Sequence, residues 1–201
     1  MITVIAGVNG AGKSSVAGSY IRSEGGEYYN PDEYARQWLS ENSHRTQAEA
    51  NAEAWKIGQG LLKAAIAARK PFTLETTLGG RTITGILSEA ISHGTPVRLI
   101  YCGLASSELH IERVAARVRN GGHDIPEEKI RERWDRSVRN LMHLIEVGAD
   151  VVVFDNSAPL QHGKPSPKIL FSLQEQQLSG LTPDIPDWAK PLAAAALKRT
   201  S

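Results

Sequence analysis

A glycine-rich motif near the N-terminus is the strongest chemical signal in the sequence. Residues 7–14 read GVNGAGKS and fit the pattern G-x-x-x-x-G-K-S/T at every position. Glycines allow backbone N–H groups to turn toward phosphate oxygens, and a helix that begins directly after the loop favours anions. We therefore expect a nucleotide phosphate loop, in which Lys13 contacts the β- and γ-phosphates and the Ser14 hydroxyl binds Mg²⁺. The predicted ATP-binding residues of this loop are Gly7, Asn9, Gly10, Ala11, Gly12, Lys13, Ser14 and Ser15.

Two acidic residues follow predicted strands and could take part in phosphoryl transfer. Asp32 would stand near the γ-phosphate and accept a proton from an acceptor hydroxyl, although the helix dipole alone also favours an acid there. Glu75 ends a strand and precedes Thr76 and Thr77, so that it could hold a substrate hydroxyl or a water on Mg²⁺, or simply belong to a capped strand end. Arg81 opens the next predicted helix, where a cation is unfavourable unless an anionic substrate or cofactor lies nearby.

The arginines on either side of a glycine-rich segment are the most unusual feature of the chain. Arg113 and Arg117 precede residues 121–126, which read GGHDIP, and Arg133 and Arg136 follow them. Arg113 and Arg117 are four residues apart and share one helix face, where an anionic ligand would relieve their repulsion. Planar guanidinium groups suit phosphate and can neutralise charge during phosphoryl transfer. Two helices joined by a glycine hinge would form a lid; the alternative is a solvated face balanced by neighbouring acidic residues.

Short apolar runs alternate with segments of helical periodicity, which predicts an α/β fold with a mostly parallel sheet. Strands are predicted at residues 2–6, 27–29, 72–74, 97–101, 151–154 and 169–173, the last at an edge. Helices are predicted at residues 13–23, 31–40, 46–68, 81–92, 106–119, 126–147 and 188–199, with a break or bend near Gly58 and Gly60. Ligands of open parallel sheets bind beyond the carboxyl ends of the strands, which is where the phosphate loop and both acids are expected.

Composition excludes several classes of protein. The chain has 201 residues, and its 23 basic and 22 acidic residues leave a net charge of +1, which argues against a general nucleic-acid clamp. Cys102 is the only cysteine, so that the chain forms no internal disulfide, and we expect it to be a buried apolar residue. Neither a long apolar run nor a secretory signal is visible, and we expect a cytoplasmic protein without a membrane partner.

The order of the motifs resembles the zeta-toxin-like P-loop kinases, in particular their small bacterial branch. The resemblance rests on GVNGAGKSS, NPDE, LETTL and RVAARVRNGGHDIPEEKIRERWDRSVRNL, followed by VVVFDNS, and covers roughly residues 1–157. It implies a three-layer P-loop kinase sandwich with a helical lid at about residues 106–147, and ATP-dependent phosphorylation of the amino sugar of UDP-N-acetylglucosamine with Mg²⁺. It also implies an antitoxin protein as a candidate partner. Residues 158–201, which the resemblance does not cover, would be a C-terminal extension, either an edge strand with a docking helix or a tail that binds a partner.

The resemblance also implies a role for individual residues. Asp32 would be the base that activates the sugar hydroxyl, and Arg117 and Arg133 are the best matches to two lid arginines that contact the transferred phosphate, with Arg113 and Arg136 as competing matches. Asn156, an ATP-binding residue, would lie near the adenine together with Ser157. The catalytic residues implied are Lys13, Asp32, Arg117 and Arg133, and the substrate-binding residues are Asp32, Glu75, Thr76, Thr77 and Arg81.

Other functions remain open at this point. A kinase of another metabolite or of an antibiotic would share the same motifs, because the sugar pocket of the larger toxins has no clear counterpart here. An ATP-driven motor would need an apolar strand that ends in Asp-Glu, whereas the chain has Phe154, Asp155 and Asn156. A nucleotide-binding regulator without catalysis is the third class.

Overall fold

Six strands form one central sheet in the computed structural model, which describes residues 1–18, 21, 28–122, 124–159 and 166–200. The strands are β1 (Ile2–Ala6), β2 (Phe72–Thr76), β3 (Val97–Gly103), β4 (Asp150–Asp155), β5 (Lys168–Gln174) and β6 (Gln177–Ser179). Their order in the sheet is β2-β1-β3-β4-β5-β6. The first four strands of this order pair in parallel, and β5 and β6 are antiparallel. The predicted α/β fold with a mostly parallel sheet is confirmed.

Within the described residues, six α-helices connect and cover the strands. They are α1 (Pro31–Glu41), α2 (Gln47–Ala67), α3 (Arg81–Ser92), α4 (Ser107–Arg119), α5 (Glu127–Val147) and α6 (Lys190–Thr200). A short 3₁₀ turn, Asp187–Ala189, precedes α6. Side chains next to the first turn determine where two of these helices begin: Thr46 and Glu49 form a capping box at α2, and the Ser106 side chain caps α4. Within the described ranges, no helix is both long and apolar enough to cross a membrane.

Two predictions near the N-terminus are only partly tested. The predicted helix at residues 13–23 begins as a π-helical segment, Ser14–Gly18, and most of its remainder lies outside the described residues, as do Glu27 and His123. The predicted strand at residues 27–29 is reduced, over its described part, to a parallel bridge between Tyr29 and Leu74.

Of the break or bend expected near Gly58 and Gly60, the break is wrong, because α2 is continuous through both glycines. A Cβ on Gly58 would lie 2.7 Å from the ring of Tyr29, whereas one on Gly60 would meet no atom within 4 Å. Gly58 therefore serves close packing between α2 and the bridge residue. Tyr29 also donates a hydrogen bond to the Ala54 carbonyl of the same helix.

The C-terminal segment extends the sheet and adds to its helical layer. The strand predicted as an edge, β5, pairs with β4 on one side and with β6 on the other, so that the short β6 is the edge strand instead. Helix α6 packs against α5 and β6. Its buried Leu192 and Ala196 join the main apolar core.

One face of the sheet carries the main apolar core. Val4, Leu99 and Val153 contribute from the strands, and Leu62 and Leu144 from the helices. Buried apolar contacts of this kind provide most of the free energy that stabilises a domain.

The strand register brings the carboxyl ends of the parallel strands together. It pairs Ala6 of β1 with Thr76 of β2 and aligns the ends of β3 and β4, so that the carboxyl ends of the four parallel strands lie along one edge of the sheet. That edge carries the phosphate loop.

Candidate active site

The phosphate loop connects β1 to the π-helical segment and depends on glycine for its shape. Gly7 has a φ of +142°, and a Cβ there would lie 2.2 Å from the carbonyl oxygen of Cys102. Gly12 has a φ of +84°, and a Cβ there would lie 2.5 Å from Nδ2 of Asn156. An L side chain at either position would be strained and would clash with its neighbours. The backbone therefore requires the glycine spacing that the motif predicts.

A buried carboxylate at the end of β2 holds the side chains that follow the loop. Glu75 is 7% exposed, and its Oε2 accepts hydrogen bonds from Ser14 Oγ at 3.0 Å and from Asn30 Nδ2 at 3.3 Å. Nζ of Lys13, itself 7% exposed, lies 3.5 Å from Oε1. The ion pair offsets the cost of burying both charges. Hydroxyl and carboxylate oxygens are ligands that Mg²⁺ prefers, so that Ser14 with Glu75 fits this metal.

Several residues predicted to act together line one cavity of about 200 Å³. Six of the residues predicted to be catalytic or to bind substrate line it: one lysine, two acids, two threonines and one arginine. They are Lys13, Asp32, Glu75, Thr76, Thr77 and Arg133, with Asn9 of the phosphate loop. Asp32 is exposed and lies between this cavity and a second of about 280 Å³, which Arg117, Gly121 and Gly122 also line.

The position of Asp32 depends on Asn30, which sequence reasoning did not select. Oδ1 of Asn30 accepts hydrogen bonds from the backbone N–H groups of Asp32 and Glu33, at 2.9 and 3.3 Å, and so caps α1. Its Nδ2 donates to Glu75. One side chain thereby connects the first turn of α1 to the carboxylate beside Lys13. The sequence Asn30-Pro31 indicates the start of a helix, but it does not indicate the contact between Asn30 and Glu75.

The structure separates the four predicted lid arginines. Nη1 of Arg133, on α5, donates to Oδ1 of Asn9 at 2.8 Å, which holds the guanidinium at the cavity that Lys13 and Asp32 line. Arg117, on α4, lines the second cavity, which Asp32 also lines. Arg113 instead donates to the carbonyl oxygens of Asn156 and Ala158, at 2.7 and 3.2 Å.

Arg136 lines neither of these cavities. It pairs with Glu132 one turn earlier on α5, with Nη1 2.6 Å from Oε1. Of these four arginines, the two that the resemblance ranked first, Arg133 and Arg117, are therefore the two that each line a cavity together with Asp32.

Arg81, expected to bind substrate, is not brought to this site. It is exposed at the start of α3 and lines a different cavity with Thr84 and His143. Nδ2 of Asn140, on α5, donates to the carbonyl oxygens of Leu78 at 2.7 Å and of Gly80 at 3.2 Å. These bonds fix the loop before α3 against α5.

The predicted adenine-side residues support the backbone in this structure. Nδ2 of Asn156 donates to the Ala11 carbonyl at 2.9 Å, and the side chain is only 1% exposed, so that it braces the phosphate loop from within the protein. Ser157 accepts a hydrogen bond from the backbone N–H of Ala105 at 2.8 Å. Cys102 is fully buried, as expected, and burial raises the pKa of its thiol to about 12.

A buried histidine, also missed in the sequence, holds the other side of the loop. Nδ1 of His110, on α4, lies 2.8 Å from the carbonyl oxygen of Asn9, and this nitrogen must carry the proton because a carbonyl only accepts. Asn9 thus contacts both helices: its backbone carbonyl binds His110 of α4, and its side chain binds Arg133 of α5. Burial lowers the pKa of His110 to about 4. The contact joins residues 101 positions apart, which local sequence patterns do not reveal.

We expect the protein to lose stability as the pH falls from about 6.5 to 4. In this range the unfolded state protonates His110, whose ordinary pKa is 6.5, while the folded state keeps the ring neutral because its pKa is about 4. The unfolded state then binds more protons, so that acid lowers the free energy of unfolding, by up to about 3 kcal/mol. Urea denaturation at pH 7 and at successively lower pH values measures the change.

Two variants isolate the histidine in that experiment. His110→Asn retains a donor for the Asn9 carbonyl but does not titrate, and should show a smaller loss of stability with acid than the wild type. His44→Asn removes an exposed histidine and should keep the wild-type pH dependence. Equal pH dependence in the wild type and His110→Asn would contradict the assignment.

The sequence matches a protein family and a bacterial relative. The model of a family described as an AAA domain matches residues 2–143, a range that contains the phosphate loop, Asp32, Glu75 and Arg133. Over 128 residues, the chain is 31% identical to an uncharacterized protein of Haemophilus influenzae. That alignment covers 64% of this chain and 88% of the relative.

Solved structures resemble the whole chain. The AvrRxo1-ORF1:AvrRxo1-ORF2 complex with sulphate ions has a TM-score of 0.65 at 15% identity, over 100% of this chain and 63% of that chain, so that this protein spans less than two thirds of it. The complex with ATP has a TM-score of 0.65 at 14% identity and covers 100% and 76%. The PezAT toxin-antitoxin system of Streptococcus pneumoniae has a TM-score of 0.57 at 15% identity and covers 99% and 85%. These similarities establish a P-loop kinase-like fold.

Proposed function

The chain belongs to the AAA domain family, and we propose that it is an ATP-dependent kinase that phosphorylates a hydroxyl group of a small molecule. One observation carries the proposal: Lys13, Asp32 and Arg133 line a single cavity of about 200 Å³. Transfer of a phosphoryl group to an alcohol uses a cation on the phosphates, an acceptor for the hydroxyl proton and a guanidinium for the transferred charge. This cavity offers all three.

In the proposed reaction, the triphosphate of ATP binds to Lys13 and to the backbone N–H groups of the phosphate loop. Asp32 accepts the proton of the acceptor hydroxyl while the oxygen of that hydroxyl forms a bond to the γ-phosphorus. The bond from that phosphorus to the β–γ bridging oxygen breaks, and ADP leaves. Arg133 and Arg117 stabilise the charge on the transferred group. Ser14 and Glu75 are the residues that would hold Mg²⁺, which neutralises phosphate charge when it is bound.

The acceptor that we propose is a nucleotide sugar, UDP-N-acetylglucosamine, in a zeta-toxin-like role. The order of motifs in the sequence supports this choice, and the P-loop kinase-like fold agrees with it. Thr76, Thr77 and Asn51 add hydroxyl and amide groups to the same cavity, and such groups suit a polyhydroxylated ring. The partner would then be an antitoxin protein, and the site of action the cytoplasm.

A transfer assay tests the proposed function. We expect ATP labelled at its γ-phosphate to yield a labelled, acceptor-dependent product with Mg²⁺ and a panel of UDP-sugars. Crude metabolite extract, used as a second source of acceptors, covers a kinase of another metabolite. Hydrolysis of ATP at one rate with and without every acceptor would indicate an ATPase instead. Tight binding of ATP with no turnover would indicate a regulator.

A further inference from the structure

The short segment between β2 and α3, residues 77–80, borders the cavity proposed for the reaction. Thr77 lines that cavity together with Asp32 and Arg133. Leu78 is fully buried and has a φ of +55°, a backbone conformation that residues with an L side chain rarely adopt. A bulky residue keeps such a conformation only where its surroundings hold it there. The segment therefore depends on partners outside itself.

Helix α5 supplies these partners. Oγ of Ser137 donates to the carbonyl oxygen of Thr77 at 2.8 Å. Nδ2 of Asn140 donates to the carbonyl oxygens of Leu78 and Gly80, at 2.7 and 3.2 Å. Ser137 and Asn140 are three residues apart and share one helix face. Three of the four carbonyl groups of the segment thus accept hydrogen bonds from that face of α5.

A buried tyrosine of β3 orients the serine. Oη of Tyr101 lies 3.0 Å from Oγ of Ser137, and both residues are buried. The serine hydroxyl has one proton, which it donates to Thr77, so that the tyrosine hydroxyl must be the donor in this contact. The hydrogen bonds therefore run from the central sheet through Ser137 to the backbone of Thr77.

The same face of α5 carries Arg133, which precedes Ser137 by four residues and Asn140 by seven. A Cβ on Gly79 would lie 2.8 Å from Cγ of Arg133, so that the aliphatic part of the arginine packs directly on the backbone of the segment. Because α5 binds the segment and also carries this guanidinium, it fixes where Thr77 lies relative to Arg133.

We propose that Ser137 and Asn140 are positioning residues for phosphoryl transfer, which place Thr77 relative to Arg133 in the reaction cavity. The proposal rests on the proposed function for the reaction itself. Neither side chain lines that cavity, and each acts through the backbone of residues 77–80. Transfer between two bound molecules requires alignment of the reacting atoms, and a displacement of about 1 Å can lower the rate about 100-fold.

The transfer assay with Ser137→Ala and Asn140→Asp tests the proposal. Asn140→Asp keeps the size of the side chain but replaces the donor with an acceptor. We expect each variant to lower kcat by about 10- to 100-fold, with the acceptor that gives product with the wild type. Calorimetric affinity for ATP should stay within about twofold of the wild type, because neither residue contacts the phosphate loop.

A double variant separates positioning from a loss of stability. Ser137→Ala leaves the buried hydroxyl of Tyr101 without its acceptor, and should lower the free energy of unfolding. Ser137→Ala/Tyr101→Phe removes that hydroxyl as well and should regain stability in urea denaturation. Its kcat should stay as low as that of Ser137→Ala, because Thr77 still lacks its donor. Tyr101→Phe alone keeps the bond from Ser137 to Thr77 and should keep kcat within a few-fold of the wild type.

Hydrogen exchange observes the segment itself and needs no turnover. The backbone N–H groups of Leu78 and Gly79 donate to the hydroxyl oxygens of Thr76 and Thr77, at 3.1 and 3.4 Å. We expect both groups to exchange about tenfold faster in each α5 variant than in the wild type, because the segment opens more often without its partners.

A serine of α3 provides the matched control. Oγ of Ser88 lies 3.1 Å from Nε2 of His143, so that this contact also joins α3 to α5, but away from residues 77–80. Ser88→Ala should therefore match the wild type in kcat and in the exchange of the segment.

The proposal is overturned if both α5 variants keep the wild-type kcat, or if the double variant recovers kcat together with stability. The kinase itself would remain in either case, because the wild type forms product. Failure of the proposed function gives a different pattern: the wild type forms no labelled product with any acceptor, while exchange at residues 78 and 79 still rises in the variants. That result would refute the kinase and, with it, the positioning role.

Discussion

Asp32→Asn is expected to abolish phosphoryl transfer while ATP binding stays nearly intact. The amide has the shape of the carboxylate but cannot accept the proton of the acceptor hydroxyl, and loss of a general base lowers rates by roughly 10²–10⁴-fold. The helix cap survives, since Asn30 binds the backbone N–H of residue 32 and not its side chain. Steady-state rates with the acceptor, and calorimetric affinity for ATP, measure the two effects separately.

The neighbouring acid provides a matched control for this prediction. Glu33→Gln makes the same chemical change one residue further along α1, where the helix turns the side chain by about 100°. Glu33 is exposed and does not line the cavity that contains Lys13. We expect its turnover to stay within a few-fold of the wild type. Unchanged turnover in Asp32→Asn would show that another group, or water, accepts the proton.

Arg133→Gln is expected to lower kcat by about 10³-fold, because an arginine that stabilises the transferred phosphoryl group contributes this much in related chemistry. The variant also loses the hydrogen bond to Asn9 that holds the guanidinium at the cavity. Arg133→Lys should recover little of the activity, since an ammonium group does not bind two phosphate oxygens side by side. Single-turnover measurements at saturating ATP separate this loss from weaker ATP binding.

Two further variants define the role of Arg133. Arg119→Gln removes an exposed arginine of α4 that lines neither cavity beside Asp32, and should leave kcat unchanged. Asn9→Ala keeps the guanidinium but removes its partner, and should lower kcat by less than Arg133→Gln does. If Arg133→Gln and Arg119→Gln had the same kcat, a residue other than Arg133 would stabilise the charge on the transferred phosphoryl group. Arg117 would then be the first residue to test.

Local patterns predicted the parts of the site whose chemistry is local. The glycine spacing of the phosphate loop follows from backbone conformation at Gly7 and Gly12, and Glu75 follows from the end of β2. The strand predicted before Asp32 is only a bridge at Tyr29, but the helix start at Pro31 was predicted correctly. Contacts between distant residues were not predictable in this way. Asn30 binds a residue 45 positions away and His110 one 101 positions away, and nothing in their immediate neighbours requires either contact. Nor did local patterns reveal that Arg81 lines a different cavity, with Thr84 and His143, so that its role as a substrate-binding residue stays a prediction.

The alternation of strands and helices over most of the chain and the glycine spacing of the phosphate loop were predicted from the amino-acid sequence alone, since hydrophobic periodicity and glycine geometry act over a few residues. The short β6 and the reduction of the strand at residues 27–29 to a bridge were not predicted. Tertiary structure decided which of the predicted lid arginines line a cavity with Asp32, and it separated Arg133 from Arg113 and Arg136. It also brought Ser137 to the carbonyl oxygen of Thr77. The physical reason is that a long side chain has many positions of similar energy until partners from other elements, such as Asn9 for Arg133, select one of them.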